Sequence, residues 1–376
     1  MPSQPATDHN ESSSDYDMTL STGIPTSPLF EVRQTTHSGR AVFAAQDIPA
    51  DTLIWRCDDI ALHVIIRDYR REVCGECFGY EQGRDLRIRE ASVGFAFCSV
   101  GCWTGWKQRA GEVGVQAWTA VETLVRGRSK EDADMADIGL PRPGVEDIRE
   151  AWEVAEMQAA LIRVARESDR KAMAGVIGKV EGVKPTKQHR KALQKALMHS
   201  ISPEIISFCL SGILWKYNKP QDWQSLLALA EDHTPYLDAD NLVAFTRSYL
   251  HLLAILPLEL LPSVDPRMLF LLSSRDAHNA FGIRSLEDEG SEYFGYGCWP
   301  AASYFNHSCG PNLEKSREGR VWCFRAERDI GMGEELCITY LSGQERKSSR
   351  DQRKKMLKEN WGFDCACLRC VEVEVC

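Results

Sequence analysis

Cysteine placement constrains this chain more than any other feature. Of its fourteen cysteines, three form a Cys-x-Cys-x-x-Cys array at Cys365, Cys367 and Cys370, while Cys309 stands far upstream in Asn306-His307-Ser308-Cys309-Gly310-Pro311-Asn312. Tetrahedral zinc takes four soft ligands, so an array of three leaves one position open, which Cys309 can fill. A metal shared in this way ties two distant segments together. A second group, Cys74-Gly75-Glu76-Cys77 with Cys98-Ser99-Val100-Gly101-Cys102, has the paired spacing of a structural zinc finger. So small and loop-rich a segment cannot bury a core of its own, and the metal supplies its folding energy. With no secretory signal at the N-terminus, these cysteines read as metal ligands in a reducing compartment, and a nuclear and/or cytoplasmic location is expected.

The length, 376 residues, allows a sizeable core and about two to three domains. A formal charge of −9 with a pI near 5.6 argues against general binding to a phosphate backbone, which draws its affinity from clustered Lys and Arg. A cationic partner fits better, and no direct nucleic-acid binding is expected. The longest apolar stretch, about Tyr249 to Leu261, is broken by His251, Pro257 and Glu259 and is too short to span a bilayer.

Residues 1–28 are rich in Ser, Thr, Asp and Pro, cannot bury enough apolar surface to offset the entropy of ordering, and read as a disordered tail. From Phe30 onward, short apolar runs with turn signals predict strand, turn and strand over Ala41–Ala44, Asp47–Asp51 and Thr52–Trp55. The phrase recurs at Val321–Ala326, Arg328–Gly333 and Leu336–Tyr340, so the two units read as parts of one β-structure split by a long insertion. Between Trp106 and about Met268 apolar residues recur at helical spacing, as in Trp152, Val154, Ala155, Met157, Ala160 and Leu161. Gly175, Gly178, Gly182, Pro203, Pro220 and Pro235 mark breaks between helices. Basic stretches from Lys184 to Lys195 and Arg346 to Lys358 carry apolar residues at helical intervals, so they read as solvated faces of amphipathic helices. The acidic run Glu287, Asp288, Glu289 and Glu292 reads as a solvated loop that can attract a basic peptide.

The Asn306–Asn312 run, then Gly333-Glu334-Glu335-Leu336 leading into Tyr340, then the cysteine array, in this order, resembles the SET-domain protein lysine methyltransferases. The finger after the first strand pair is similar to that of the SMYD (SET and MYND) branch. It departs from the MYND pattern, which uses seven cysteines and a histidine for two zincs: no cysteine lies between Cys77 and Cys98, and no His-x3-Cys follows Cys102. One zinc and a structural role are expected there. The resemblance spans most of residues 30 to 370 and is most specific from Ser303 to Cys370.

The resemblance implies an α+β fold: a β-rich, knot-like SET core interrupted by a small zinc finger and a helical insertion, with a cysteine-rich post-SET zinc segment. The expected divisions are a core N-terminal part at 29–72, the finger at 73–106, the insertion at 107–268, a core C-terminal part at 269–345 and the post-SET segment at 346–376. It implies methyl transfer from S-adenosylmethionine to lysine in a protein substrate, with two zinc ions per chain. The cofactor residues implied are Gly39, Arg40 and Ala41, with alanine where the family has a second glycine, and Asn279, Ser303, Asn306, His307, Tyr340 and Phe363. Tyr340 aligns with the catalytic tyrosine, and Trp361 with a tyrosine of the substrate-lysine channel. Metal ligands are Cys74, Cys77, Cys98 and Cys102 in one site and Cys309, Cys365, Cys367 and Cys370 in the other. The chain stops shortly after Cys370, without the helical repeat domain of several SMYD relatives, so a more open substrate cleft is expected; separately, a monomer is expected. The alternative, a catalytically inactive SET scaffold or reader, is motivated by Ala41 and the depleted finger. A zinc-finger transcription factor would need a basic recognition element, which the sequence lacks.

Overall fold

The computed structural model describes residues 24–36, 39–131, 140–173, 184–286 and 292–371, with side chains described for all but 168–173 and 277. Residues 1–23 of the expected tail, the glycines Gly175, Gly178 and Gly182, and Glu287, Asp288 and Glu289 of the acidic run lie outside the described residues.

The chain opens with an antiparallel pair, β1 (Phe30–Gln34) and β2 (Arg40–Ala44), in which Phe30 faces Ala44. The next strand, β3 (Leu53–Cys57), does not pair with β2 as a simple strand-turn-strand reading would have it. After β4 (Leu62–Ile65), the small pair β5 (Ile88–Glu90) and β6 (Phe95–Phe97) belongs to the finger, whose last cysteine already lies in the first turn of helix α1 (Val100–Arg126). Ser99 caps that helix, accepting from the Cys102 amide at 3.1 Å, and this fixes Cys98 and Cys102 side by side.

The helices α2 (Val145–Met173), α3 (Lys187–Ala196), α4 (Pro203–Asn218), α5 (Trp223–Leu227), α6 (Ala239–Ile255) and α7 (Pro266–Asn279) follow. Their boundaries have local causes: Pro203 occupies the first turn of α4, Asp238 caps α6 through the Asn241 amide, and Asp265 with Pro266 starts α7. On α2 the buried stripe is Ile148, Trp152, Ala155, Ala159 and Ile162, a helical spacing that faces α6. Val154 and Met157, part of the apolar pattern in the sequence, are 49% and 65% exposed and lie off that stripe. Helix α4 is buried from Pro203 through Trp215, because it packs on β4 as well as on α1, α6 and α7. The two basic stretches are amphipathic: Leu193 and Leu197 of the first pack on the core, and Arg353 and Leu357 of the second are buried.

The remaining strands, β7 (Ala280–Arg284), β8 (Tyr293–Cys298), β9 (Leu313–Glu318) and β10 (Val321–Ala326), return to the N-terminal ones. They form the three-stranded sheets β4-β8-β7 and β3-β10-β9, so both sheets join sequence from the two sides of the helical insertion. At Gly295 on β8, φ is 151° and a Cβ would lie 2.0 Å from the Val64 carbonyl oxygen, so only glycine permits the approach of β4. Leu336–Tyr340, expected as a strand, forms with the preceding Glu335 only isolated bridges: Phe43 pairs with Glu335, and His307 runs parallel to Ile338. The Leu336 amide donates to Val42 at 2.7 Å, while the Ile338 amide donates to Asn306 at 3.0 Å and Ser308 donates back to Ile338 at 2.8 Å. The segment thus threads between β2 and the Asn306–Ser308 turn, which is the knot-like crossing. The chain closes with α8 (Gly343–Arg346), α9 (Arg350–Trp361) and α10 (Leu368–Val371).

Candidate active site and metal centres

A cleft of about 210 Å³ lies between β2, the end of α7 and the turn before Asn306. Five residues singled out from the sequence line it: Gly39, Arg40, Asn279, Ser303 and Asn306. No described residue other than its chain neighbours lies within 4 Å of a Cβ built on Gly39, whose φ is 68°. Asn306 Nδ2 donates to the Arg40 carbonyl at 3.0 Å and to Glu335 Oε1 at 3.1 Å, tying the floor of the cleft to β2. Asn279, at the end of α7, donates to the carbonyls of Ala230 at 3.0 Å and Arg275 at 2.6 Å, and its own carbonyl accepts from Ser303 Oγ at 3.1 Å. Ala41 does not line the cleft: its side chain is fully buried in the core, so a methyl group there takes nothing from the open space.

The second half of the site is aromatic. The Tyr340 amide donates to His307 Nδ1 at 3.0 Å, and its hydroxyl donates to the Phe305 carbonyl at 3.2 Å. Ring centroids of Tyr340 lie 5.3 Å from His307, 5.5 Å from Trp361 and 6.3 Å from Phe363, with Phe363 6.1 Å from His307. Burial, reinforced by Cys337 and Glu335, pushes the Tyr340 phenol up, so it stays a neutral O–H. Burial holds the His307 imidazole down to about 4. Because Nδ1 accepts the Tyr340 amide, the proton of the neutral ring sits on Nε2, which faces Cys309 Sγ at 3.3 Å.

Trp361 and Phe363 are held in place by Gly362, whose φ of 76° ends α9 in the left-handed conformation and turns the chain toward the cysteine array. There Cys309 Sγ lies 3.5 Å from Cys370 Sγ and 4.0 Å from Cys365 Sγ, and the Cys309 amide donates to Cys367 Sγ at 3.4 Å. Thiolates around a tetrahedral zinc sit ~2.3 Å from it and hence ~3.8 Å from one another. The cluster matches that donor set. The finger does too, with Cys98 Sγ 3.6 Å from Cys77 Sγ and 3.4 Å from Cys102 Sγ. Cys74, Cys77, Cys98 and Cys102 form one group of four sulfurs that could hold a metal, and Cys309, Cys365, Cys367 and Cys370 the other. Arg320, beside β10, donates to the Glu76 carbonyl at 3.2 Å and stacks its guanidinium over Phe78, which fastens the finger to the core.

Sequence reasoning missed Tyr304, Leu229 and Ala230. The Tyr304 hydroxyl accepts from Arg40 Nη1 at 2.9 Å, and its ring lies under that guanidinium at 4.7 Å. Its position beside Ser303 was the available signal. Leu229 and Ala230 come from the loop after α5, where the Ala230 carbonyl accepts from Asn279, a backbone role for which side-chain identity gives no cue.

A SET-domain profile matches residues 39–341. The potential protein lysine methyltransferase SET6 of Saccharomyces cerevisiae is 26% identical over an alignment covering 92% of this chain and 95% of SET6. The histone-lysine N-methyltransferase ASHR2 of Arabidopsis thaliana is 32% identical over 43% of this chain and 44% of its own length. Human histone-lysine N-methyltransferase SMYD3 is 38% identical over 24% of this chain, with 20% of SMYD3 covered. This chain therefore spans under half of ASHR2 and SMYD3 in those matches, and nearly all of SET6. With the profile covering most of the chain and the two halves of the core joined as described, the protein belongs to the SET-domain family.

Proposed function

We propose that this protein is a protein-lysine N-methyltransferase that uses S-adenosylmethionine as methyl donor. The observation that carries the reading is the meeting of the Gly39, Asn279, Ser303 and Asn306 cleft with the Tyr340, His307 and Phe363 cluster across the adjacent residues Asn306 and His307. The residues fit the donor: polar backbone and amide groups suit its amino-acid end, and the rings of Phe363 and His307 offer an apolar face for its purine. When bound, it supplies a methyl group on sulfur activated for transfer.

The protein's part is placement. Tyr340, with its hydroxyl on the Phe305 carbonyl, and Trp361 form the wall along which a lysine side chain is held in line. Backbone carbonyls near that wall, the Phe305 carbonyl among them, would offer weak C–H···O contacts to a methyl group brought there. The nucleophile must be a neutral amine, so a lysine of ordinary pKa ~10.4 loses its proton before or during its passage into this apolar site. The two cysteine clusters would each hold one zinc, the second fixing Cys309, and with it the Asn306–His307 turn, against the segment bearing Phe363.

The test is isothermal calorimetry with S-adenosylmethionine, together with thermal denaturation, since a ligand of the native state alone raises its stability by mass action. Binding with a raised melting temperature is expected. No binding at millimolar cofactor would leave the scaffold reading in its place.

A further inference from the structure

The strand β9 carries a lysine in an unusual setting. Lys315 faces Phe324 across the β9–β10 ladder, and cross-strand partners share one face of a sheet. Phe324 is fully buried and stacks on Phe305 at 4.7 Å, and the Phe305 carbonyl is the group that accepts the Tyr340 hydroxyl. Lys315 Nζ lies 5.8 Å from the ring centre of Phe281 and 6.0 Å from that of Trp322, two rings themselves 5.4 Å apart. These distances are those of cation–π contacts. Phe281 stands two residues after Asn279 on β7, so the amine sits against the strand that follows this cleft residue, and its own residue pairs with Phe324. The charge of Lys315 also acts on His307.

Apart from those two rings, no described residue holds this amine as a cation. The charges that act on it are Arg284 of β7 and Arg346 of α8, both positive, and no salt bridge between Lys315 and a carboxylate occurs among the described residues. Burial first, then those two guanidiniums, pull its ammonium down to about 8. A far larger fraction is therefore the neutral, nucleophilic amine at physiological pH than for a surface lysine, whose pKa is ~10.4.

We propose that Lys315 is a self-methylation site, modified within its own chain. The inference rests on the methyltransferase reading above. In the step, the lone pair of neutral Lys315 Nζ attacks the sulfonium methyl of S-adenosylmethionine. A C–N bond forms as the C–S bond breaks, the bonding pair leaves on sulfur to give the thioether S-adenosylhomocysteine, and the resulting secondary ammonium gives its extra proton to solvent. A methylated Lys315 keeps its cationic form against Phe281 and Trp322 and adds apolar surface to that contact.

The experiment incubates the full chain with deuteromethyl S-adenosylmethionine over a dilution series, with a histone mixture as external acceptor in the same tube. Mass spectrometry of the Lys315 peptide counts heavy methyl together with ordinary methyl carried over from expression, and calorimetry records cofactor binding in parallel. The expected result is methyl on Lys315 at a fractional rate independent of protein concentration, lost from that peptide in Lys315→Arg and in Lys315→Met. Methylated histone with an unmethylated Lys315 would overturn this proposal and leave the enzyme reading intact. A rate that rises with protein concentration would overturn the intramolecular step, and cofactor binding without methyl on Lys315 would overturn the site. Absence of both binding and methyl would defeat the enzyme reading, and this proposal with it.

Discussion

Replacing Asn306 by alanine removes one nitrogen that makes two hydrogen bonds, to the Arg40 carbonyl at 3.0 Å and to Glu335 Oε1 at 3.1 Å. A neutral hydrogen bond contributes about 1 kcal/mol net and one to a charged group about 1.5–3 kcal/mol. Glu335 is partly exposed, so water recovers some of the second amount, and the two together come to about 2–3 kcal/mol. That is smaller than the total stability of an ordinary domain, about 5–15 kcal/mol, so Asn306→Ala should stay folded. Urea unfolding followed by tryptophan fluorescence should show a lower midpoint with an unchanged slope, and calorimetry should show weaker cofactor binding, because the lost bonds position Arg40 beside Gly39 in the cleft. A loss under about 0.5 kcal/mol, the range of an indifferent surface change, with cofactor affinity intact, would refute the argument that Asn306 organises this site.

Three further outcomes follow from the same geometry. Metal analysis should return two zincs per chain, and Cys309→Ser should lose one of them along with cofactor binding, whereas Cys74→Ser should lose the other and chiefly loosen the finger; three zincs, or normal cofactor binding by Cys309→Ser, would contradict the assignment. Tyr340→Phe should lower turnover by roughly tenfold to a thousandfold, as for the removal of single preorganised donors elsewhere, with much less change in cofactor affinity; unchanged turnover removes the hydroxyl from the catalytic set. Asp276 on α7 has a buried Oδ1 with no hydrogen-bond partner among the described residues, and burial raises its carboxyl to about 7. The unfolded chain loses that proton near ~3.9, so between the two values the folded state binds more protons and stability falls as pH rises. Because His307 and His251, held down to about 4, act in the opposite sense, the test is the difference between wild type and Asp276→Asn: the wild-type urea midpoint should fall relative to the variant's across that window, and parallel pH profiles would disprove the raised carboxyl.

The parts of this fold that were legible in the sequence are those fixed by short-range chemistry. Cysteine spacing revealed both sulfur clusters, because four ligands at metal distance need particular residues and nothing else, and the structure brings both sets together. The split β-structure was readable in outline because apolar runs and turn residues mark strands locally. Which strands pair was not: β3 joins β10, and β2 joins β1 and the Gly333–Leu336 segment, since pairing depends on contacts across the helical insertion. The apolar pattern on α2 overcounted the core, as Val154 and Met157 show, because apolar residues also occur on solvated faces. In the cleft, side chains with distinctive chemistry such as Asn279, Ser303 and Asn306 were found, while Leu229 and Ala230 were not. Lys315 was passed over because its setting is made by Phe281 and Trp322, on two other strands, and no local motif announces it.

The central claim is methyl transfer to lysine, and the measurement that addresses it most directly is incubation of the zinc-loaded protein with isotopically labelled S-adenosylmethionine and a proteome-wide peptide array. The account predicts label on lysine side chains, dependent on the cofactor and sharply reduced in Tyr340→Phe. Cofactor bound tightly at the cleft with no label on any lysine, in the array or in the protein itself, would contradict it.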